Sequence, residues 1–178
     1  MKSNHLRQLT LAGVIAAVYA VLTLCIPVAS FGMLQLRLSE VLTILPVFSA
    51  AAVPGLTIGC LLANLLGMCF GLTGAWDLLF GTVATLLAAL LTRKLRHVHW
   101  FGLPVPSALM PVIFNAVIVG FEIAMFFSGT AFSLPLYGIN ALWVGVGELL
   151  AAAVGGLVLY TALCRSETDK RLFKFTEE

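Results

Sequence analysis

Five ionisable side chains, Arg37, Glu40, Asp77, Glu122 and Glu148, stand inside or at the edge of strongly apolar runs. Carboxyls so placed can hold a cation, accept N–H donors from a ligand or relay protons, and a guanidinium can meet an anion or a carbonyl. At about 2.5 to 3.5 kcal/mol for each ionised group at mid-membrane, five of them cost on the order of 12 to 17 kcal/mol. A cost of that size calls for a compensating arrangement. Arg37 and Glu40 are three residues apart and either pair with each other or serve a ligand. Asp77 either complements the dipole of a first helical turn or serves a ligand. Glu122 and Glu148 have no helix-end role of this kind and are read as site residues. Two mid-helix amides, Asn64 and Asn115, bridge helices or contact the ligand. Trp76 and Trp143 are interface anchors or walls that stack on a flat ligand.

The elements that position these groups follow from hydropathy. The chain of 178 residues is 61% hydrophobic and 10% charged, with a mean hydropathy of +1.06, far from the roughly one-quarter charged content of soluble domains. A spanning helix needs about 20 mainly apolar residues. Spans are expected over 9–29, 38–52, 54–72, 75–93, 107–127 and 137–163, an all-α integral membrane bundle of six transmembrane helices. The first run is longer than a signal-peptide core and is kept as a helix, although Val28-Ala29-Ser30 resembles a cleavage site. Residues 1–165 form one membrane domain, and 166–178 a polar tail, the one segment expected to be disordered.

Basic residues orient the bundle. Lys2 and Arg7, then Arg93, Lys94 and Arg96, then Arg165, Lys170, Arg171 and Lys174 fall on one side, nine of the ten in the chain. That side is the cytoplasm for both termini if there are six helices. In this frame Glu122 lies roughly 22 Å along the fifth helix, in its outer third, and Glu148 roughly 16 Å into the sixth, with Asn140 at its outer end. Glu40 and Asp77 open their helices on the outer side. All four acids thus belong to the outer half or midplane, and an outward-facing polar pocket is expected. Four acids against one arginine favour a cationic or donor-rich ligand over an anion.

Small residues recur every four positions in two helices: Ala12, Ala16 and Ala20, then Gly55, Gly59, Ala63, Gly67 and Gly71. Such stripes let backbones approach closely in lipid. The glycine stripe is read as packing within the bundle, the alanine stripe as packing or a partner surface. Several chemistries are disfavoured. The three histidines lie on the basic flanks without metal-ligand spacing, and the four cysteines show no CxxC pairing and read as small hydrophobes. There is no GxxxxGK[ST] loop, no HExxH and no GxSxG, and no basic patch for nucleic acid.

Taken as a set, Gln35-Leu36-Arg37-Leu38-Ser39-Glu40 with Leu45-Pro46, Ile58-Gly59-Cys60-Leu61-Leu62-Ala63-Asn64-Leu65, Trp76-Asp77 with Phe80-Gly81, Asn115-Ala116 with Val119-Gly120, and Asn140-Ala141 with Val144-Gly145-Val146-Gly147-Glu148 resemble the QueT family of queuosine-precursor transporters, across nearly the whole chain except the tail. The resemblance implies an S component of a bacterial energy-coupling factor (ECF) transporter. Such a component is a six-helix subunit of the cell membrane that binds substrate from outside and works with a transmembrane coupling protein and two ATPase subunits, with no cofactor of its own. It implies a partner surface at Ala12, Ala16 and Ala20. It implies a 7-deazaguanine ligand, in the aminomethyl form. In that reading Glu148 or Glu122 takes the donor edge, Glu40 or Asp77 faces the ammonium, Asn115 or Asn140 reaches the carbonyl, and an aromatic ring such as Trp76 stacks on the heterocycle, with Arg37 and Asn64 in the same set. The rival readings are a proton-coupled secondary carrier of a small cationic or nucleobase-like solute, and an intramembrane enzyme.

Overall fold

The computed structural model of the protein describes residues 2–32 and 35–173. Lys174 and the rest of 174–178 lie outside them. The chain folds as α1 (Lys2–Cys25), a short α2 (Pro27–Ser30), a 3-10 helix (Leu38–Val47), α3 (Ala52–Cys69), α4 (Ala75–Lys94), α5 (Val105–Glu122), α6 (Leu134–Glu148), α7 (Gly156–Arg165) and α8 (Thr168–Phe173). A π-helical stretch, Ile123–Phe127, continues α5, and another, Leu149–Gly155, joins α6 to α7. No strand occurs among the described residues.

Among the described residues, five helices are long and apolar enough to cross a membrane: Asn4–Cys25, Ala52–Cys69, Ala75–Lys94, Val105–Phe127 and Leu134–Arg165. They match five of the six expected spans. The sixth, 38–52, is different. Its regular part is a 3-10 helix of 10 residues, roughly 20 Å long at about 2 Å per residue, short of a hydrocarbon core of about 30 Å. Local chemistry ends it early. Pro46 has no N–H to give, and the Arg93 guanidinium donates to the carbonyls of Pro46 at 3.1 Å and Val47 at 3.2 Å.

Directions follow from close approaches. A Cβ on Gly55 would meet Ala12 O at 2.9 Å, and one on Gly59 would meet Tyr19 Cβ at 2.8 Å and Ala16 O at 2.9 Å, so α1 and α3 run the same way. The 3-10 segment therefore returns between them. Gly120 sits on Ala141, and Gly145 faces Ala116, which sets α5 and α6 antiparallel. Phe48 stacks on Tyr160 at 5.1 Å and on Phe173 at 5.4 Å, bringing the end of the 3-10 helix to α7 and α8. His5 and Gln8 lie by Ala50, Ala51 and Pro54. The start of α1 and the end of α7 thus share one face of the bundle. Gly71, with φ +70, closes α3 in the left-handed conformation that glycine adopts without strain, and the Leu72 N–H reaches back to Gly67 O at 2.8 Å.

Two readings of the sequence change here. Ala12, Ala16 and Ala20 are buried, and the first two lie directly under Gly55 and Gly59. The alanine stripe is the α1–α3 seam and presents no free surface to a partner in this arrangement. The part of the tail within the described residues is also ordered: α8 tucks the buried Phe173 into the cluster of Ile15, Tyr19, Leu45 and Leu56, because one aromatic ring there gains more from the core than from water.

Gly59→Leu should lower the thermal unfolding midpoint in detergent, by the equivalent of about 1 to 3 kcal/mol of overpacking. Gly13→Ala, on the open side of α1 where nothing lies within 4 Å, should leave it within error. Equal effects would contradict the seam.

Candidate ligand site

Arg37 enters the bundle just before the 3-10 helix, in extended backbone. In hydrocarbon its guanidinium must be met by the protein. Its Nε donates to Ser30 O at 3.0 Å, its plane lies over the Phe31 ring at 5.3 Å, and Nη2 stands 3.9 Å from Asp77 Oδ1. That last pairing is an ion pair too long to be a hydrogen bond. Around it gather side chains from every spanning element.

Glu40, in the first turn of the 3-10 helix, accepts a short hydrogen bond from Tyr19 Oη of α1. Beside it, the Thr23 hydroxyl donates to Ser39 Oγ at 2.7 Å, and Thr43 Oγ1 donates to Glu40 O at 2.5 Å. Asn64 of α3 donates through Nδ2 to the Asp77 carbonyl at 2.8 Å, tying α3 to the first turn of α4. Close packing is needed there. A Cβ on Gly81 would lie 2.9 Å from Asn64 Nδ2 and 3.8 Å from Arg37 Nη1. Glu122, at the end of α5, faces Asp77 and Arg37. Glu148, at the end of α6, faces Glu40 and Arg37 with Asn115 beside it. Both glutamates are buried, share Arg37 as a neighbour and stand directly before a π-helical stretch, a backbone irregularity frequent at functional sites.

Toward the face opposite the termini lies a hollow of about 420 Å³, walled by Phe31, Gln35, Thr73, Asp77, Phe127 and Asn140 among others. Its size suits a small ligand. Asp77 and Asn140 belong to the wall, whereas Arg37, Glu40, Asn64, Asn115, Glu122 and Glu148 lie behind it. Asn115 is eight residues from Ile123 of the wall, and Glu148 eight from Asn140, so the polar cluster continues roughly 12 Å inward.

Several buried polar atoms of the cluster make no hydrogen bond: Arg37 Nη2, Glu40 Oε2, Asn64 Oδ1, Asn140 Nδ2 and Glu148 Oε2, while the Glu122 carboxyl, which meets no N–H donor, is set against the carboxyl of Asp77. Native interiors rarely leave such groups unpaired. The imbalance among them is chemical: acceptor oxygens outnumber donor nitrogens.

Of the residues expected from sequence, eight converge: Arg37, Glu40, Asn64, Asp77, Asn115, Glu122, Asn140 and Glu148. Trp76 does not. It is 46% exposed and stacks on Phe126 at 4.1 Å, in an outward-facing aromatic group with Phe80. One helical position from Asp77, its ring is turned about 100° away from the carboxyl that faces inward. Trp143 is likewise exposed. Sequence reasoning missed Tyr19, Phe31 and Phe127. Tyr19 carried a signal, as a phenol in mid-span that must find a partner. Phe31 and Phe127 carried none that separates a pocket wall from ordinary apolar sequence. Among the described residues no group of three or more metal-binding side chains occurs.

A family model described as QueT transporter matches residues 9–165. The chain belongs to the QueT transporter family. It is a multi-pass membrane protein of a transporter family rather than an enzyme, and the matched residues contain every member of the polar cluster. No curated protein and no solved structure matches the chain.

The Tyr19–Glu40 bond should matter to the fold of this QueT chain. Tyr19→Phe leaves a buried carboxyl oxygen without its donor and should destabilise by about 1 to 3 kcal/mol. A double-mutant cycle with Glu40→Leu, which removes the acceptor, followed by thermal unfolding, should return a coupling above about 0.5 kcal/mol; strict additivity would mean that the two groups do not interact.

Proposed function

We propose that this QueT family member is the substrate-binding S component of an ATP-driven ECF importer, and that its ligand is a queuosine precursor, the aminomethyl form of 7-deazaguanine. The carrying observation is the set of unpartnered buried atoms, acceptor-rich and centred on one guanidinium. A ligand that completes this set offers several N–H donors, a cationic group and a carbonyl or two. A 7-deazaguanine with an ammonium arm has that inventory. Its adjacent ring and amino N–H groups suit the paired oxygens of one carboxylate, Glu148 or Glu122, in a bidentate contact. The ammonium suits Glu40 or Asp77. The carbonyl suits an amide N–H of Asn115 or Asn140, with Arg37 Nη2 as the charged donor nearby. Phe31 and Phe127, on the wall of the hollow, supply flat apolar faces for the heterocycle.

In this reading the hollow opens to the outside and the face holding both termini is cytoplasmic. The 3-10 segment then counts as the short second crossing of a six-crossing bundle in the bacterial cell membrane. Nine of ten basic residues fall toward the termini's face in sequence, in agreement with retention of positive charge in the cytoplasm. A coupling membrane protein and two ATPase subunits supply the energy and need a docking surface other than the buried alanine stripe.

The second reading, a proton-coupled carrier, is favoured by Glu122, whose carboxyl faces that of Asp77 and meets no N–H donor, an arrangement suited to passing a proton. Uptake that survives loss of the coupling ATPase subunits and collapses with an uncoupler would establish it and defeat the first.

Ligand capture is the direct test. Mass spectrometry of the protein purified in mild detergent should show a co-purifying 7-deazaguanine. Calorimetry with the aminomethyl compound should show Glu148→Gln binding at least tenfold more weakly, since a hydrogen bond to a charged group contributes about 1.5 to 3 kcal/mol. Undiminished affinity would take Glu148 out of the site.

A further inference from the structure

The connection between α4 and α5 holds a tight two-residue hairpin. Trp100 N–H donates to Leu103 O at 2.9 Å and Leu103 N–H to Trp100 O at 3.0 Å, with Phe101 at φ +53 and Gly102 at φ +78. Both central residues are left-handed, the pattern that Asn-Gly ordinarily supplies. A phenylalanine there is unfavourable, and the turn uses it to hold a fully exposed ring outward beside a half-exposed Trp100. The same connection carries Arg96, His97 and His99, directly after Lys94 at the end of α4.

Leu103, at the base of this hairpin, forms one side of a groove of about 480 Å³. The other side is Val154, Val158, Thr161 and Ala162, with Arg165 at the end. The groove belongs to the Leu134–Arg165 span, so in a membrane it faces hydrocarbon. Val154 to Arg165 covers roughly 16 Å of helix, about half of a hydrocarbon core of about 30 Å, the depth of one leaflet. Its polarity is confined to one end, because Thr161 spends its hydroxyl on Leu157 O at 2.8 Å. Arg165 is exposed and stands where the span ends and headgroups begin. Apolar along a leaflet's depth and cationic at the water end, the groove complements an acyl chain under a negative headgroup.

We propose that the groove between Leu103 and the helical stretch 154–165 binds one anionic phospholipid, its acyl chain along Val154 and Val158 and its phosphate on Arg165, with the Trp100–Phe101 turn inserted beside it at the headgroup boundary. The inference is independent of the ligand assigned to the central cluster. A zwitterionic lipid fills the same groove but gains less from the arginine and the basic connection. The exposed aromatic pair suits this boundary, where amphipathic rings concentrate.

The test uses the full-length protein in nanodiscs of phosphatidylcholine and phosphatidylglycerol, followed by transfer to detergent and native mass spectrometry. Phosphatidylglycerol should be retained in preference to phosphatidylcholine. Arg165→Gln should reduce that preference about fivefold, the effect of about 1 kcal/mol for one basic residue at an anionic surface. Val158→Trp, filling the groove, should reduce retention of both lipids. In a Trp76→Phe/Trp143→Phe background, Trp100 fluorescence should be quenched by brominated phosphatidylglycerol. Equal retention of the two lipids, an Arg165→Gln protein with unchanged preference, or a Trp100 that brominated lipid does not quench would each overturn the proposal. Protection of Trp100 only on adding a soluble protein would overturn it in favour of a protein dock.

Discussion

The guanidinium of Arg37 sits in a bundle whose surroundings offer no water, and the arrangement of the half of the molecule away from the termini answers that constraint. Its Nε is satisfied by a backbone carbonyl, one face by the Phe31 ring and its charge by Asp77 at 3.9 Å. The acids around it come from four different elements: Glu40 from the 3-10 helix, Asp77 from α4, Glu122 from α5 and Glu148 from α6. Each helix therefore contributes to one electrostatic centre as well as to apolar packing. In lipid, where apolar side chains give no preference for protein over hydrocarbon, such a centre helps specify which helices meet.

The backbone bends its own rules beside these charges. Ten residues of 3-10 helix exceed the usual run of three or four, and each deep glutamate is followed by a π-helical stretch. Irregular backbone at membrane depth is tolerated where protein or a polar hollow covers it. All three irregular segments start beside the cluster, where side chains and neighbouring helices take up what the regular ladder gives away. The far end of the 3-10 helix is closed by Arg93. The segment carrying Arg37 and Glu40 is thus held at one end by the polar cluster and at the other by a basic residue near the termini's face.

Much of the cluster was legible because hydrocarbon makes charge expensive. Glu122 and Glu148 stood out by type alone, and the polar islands around Arg37, Asn64, Asp77, Asn115 and Asn140 by contrast with their neighbours. Trp76 stood open between interface anchor and ligand wall because sequence does not show which way a ring faces; its exposure and its stacking on Phe126 set it outside the cluster, about 100° round the helix from Asp77. The alanine stripe was ambiguous for a related reason. A four-residue stride of small residues marks a close approach but not the identity of the approaching helix, which here is α3.

Composition and hydropathy by themselves determined that the chain is a helical membrane protein, the approximate ends of five long helices and the identity of most buried polar groups, since each follows from the cost of placing one residue type in lipid. Only the tertiary structure decided that 38–47 winds as a 3-10 helix shorter than a hydrocarbon core, that α1 packs its alanines against α3, and that Tyr19 donates to Glu40. It also turned Phe31 and Phe127 toward the hollow and Trp76 away from it. These outcomes depend on which helices are neighbours and how each is rotated, and such pair properties are carried by contacts between residues far apart in the chain.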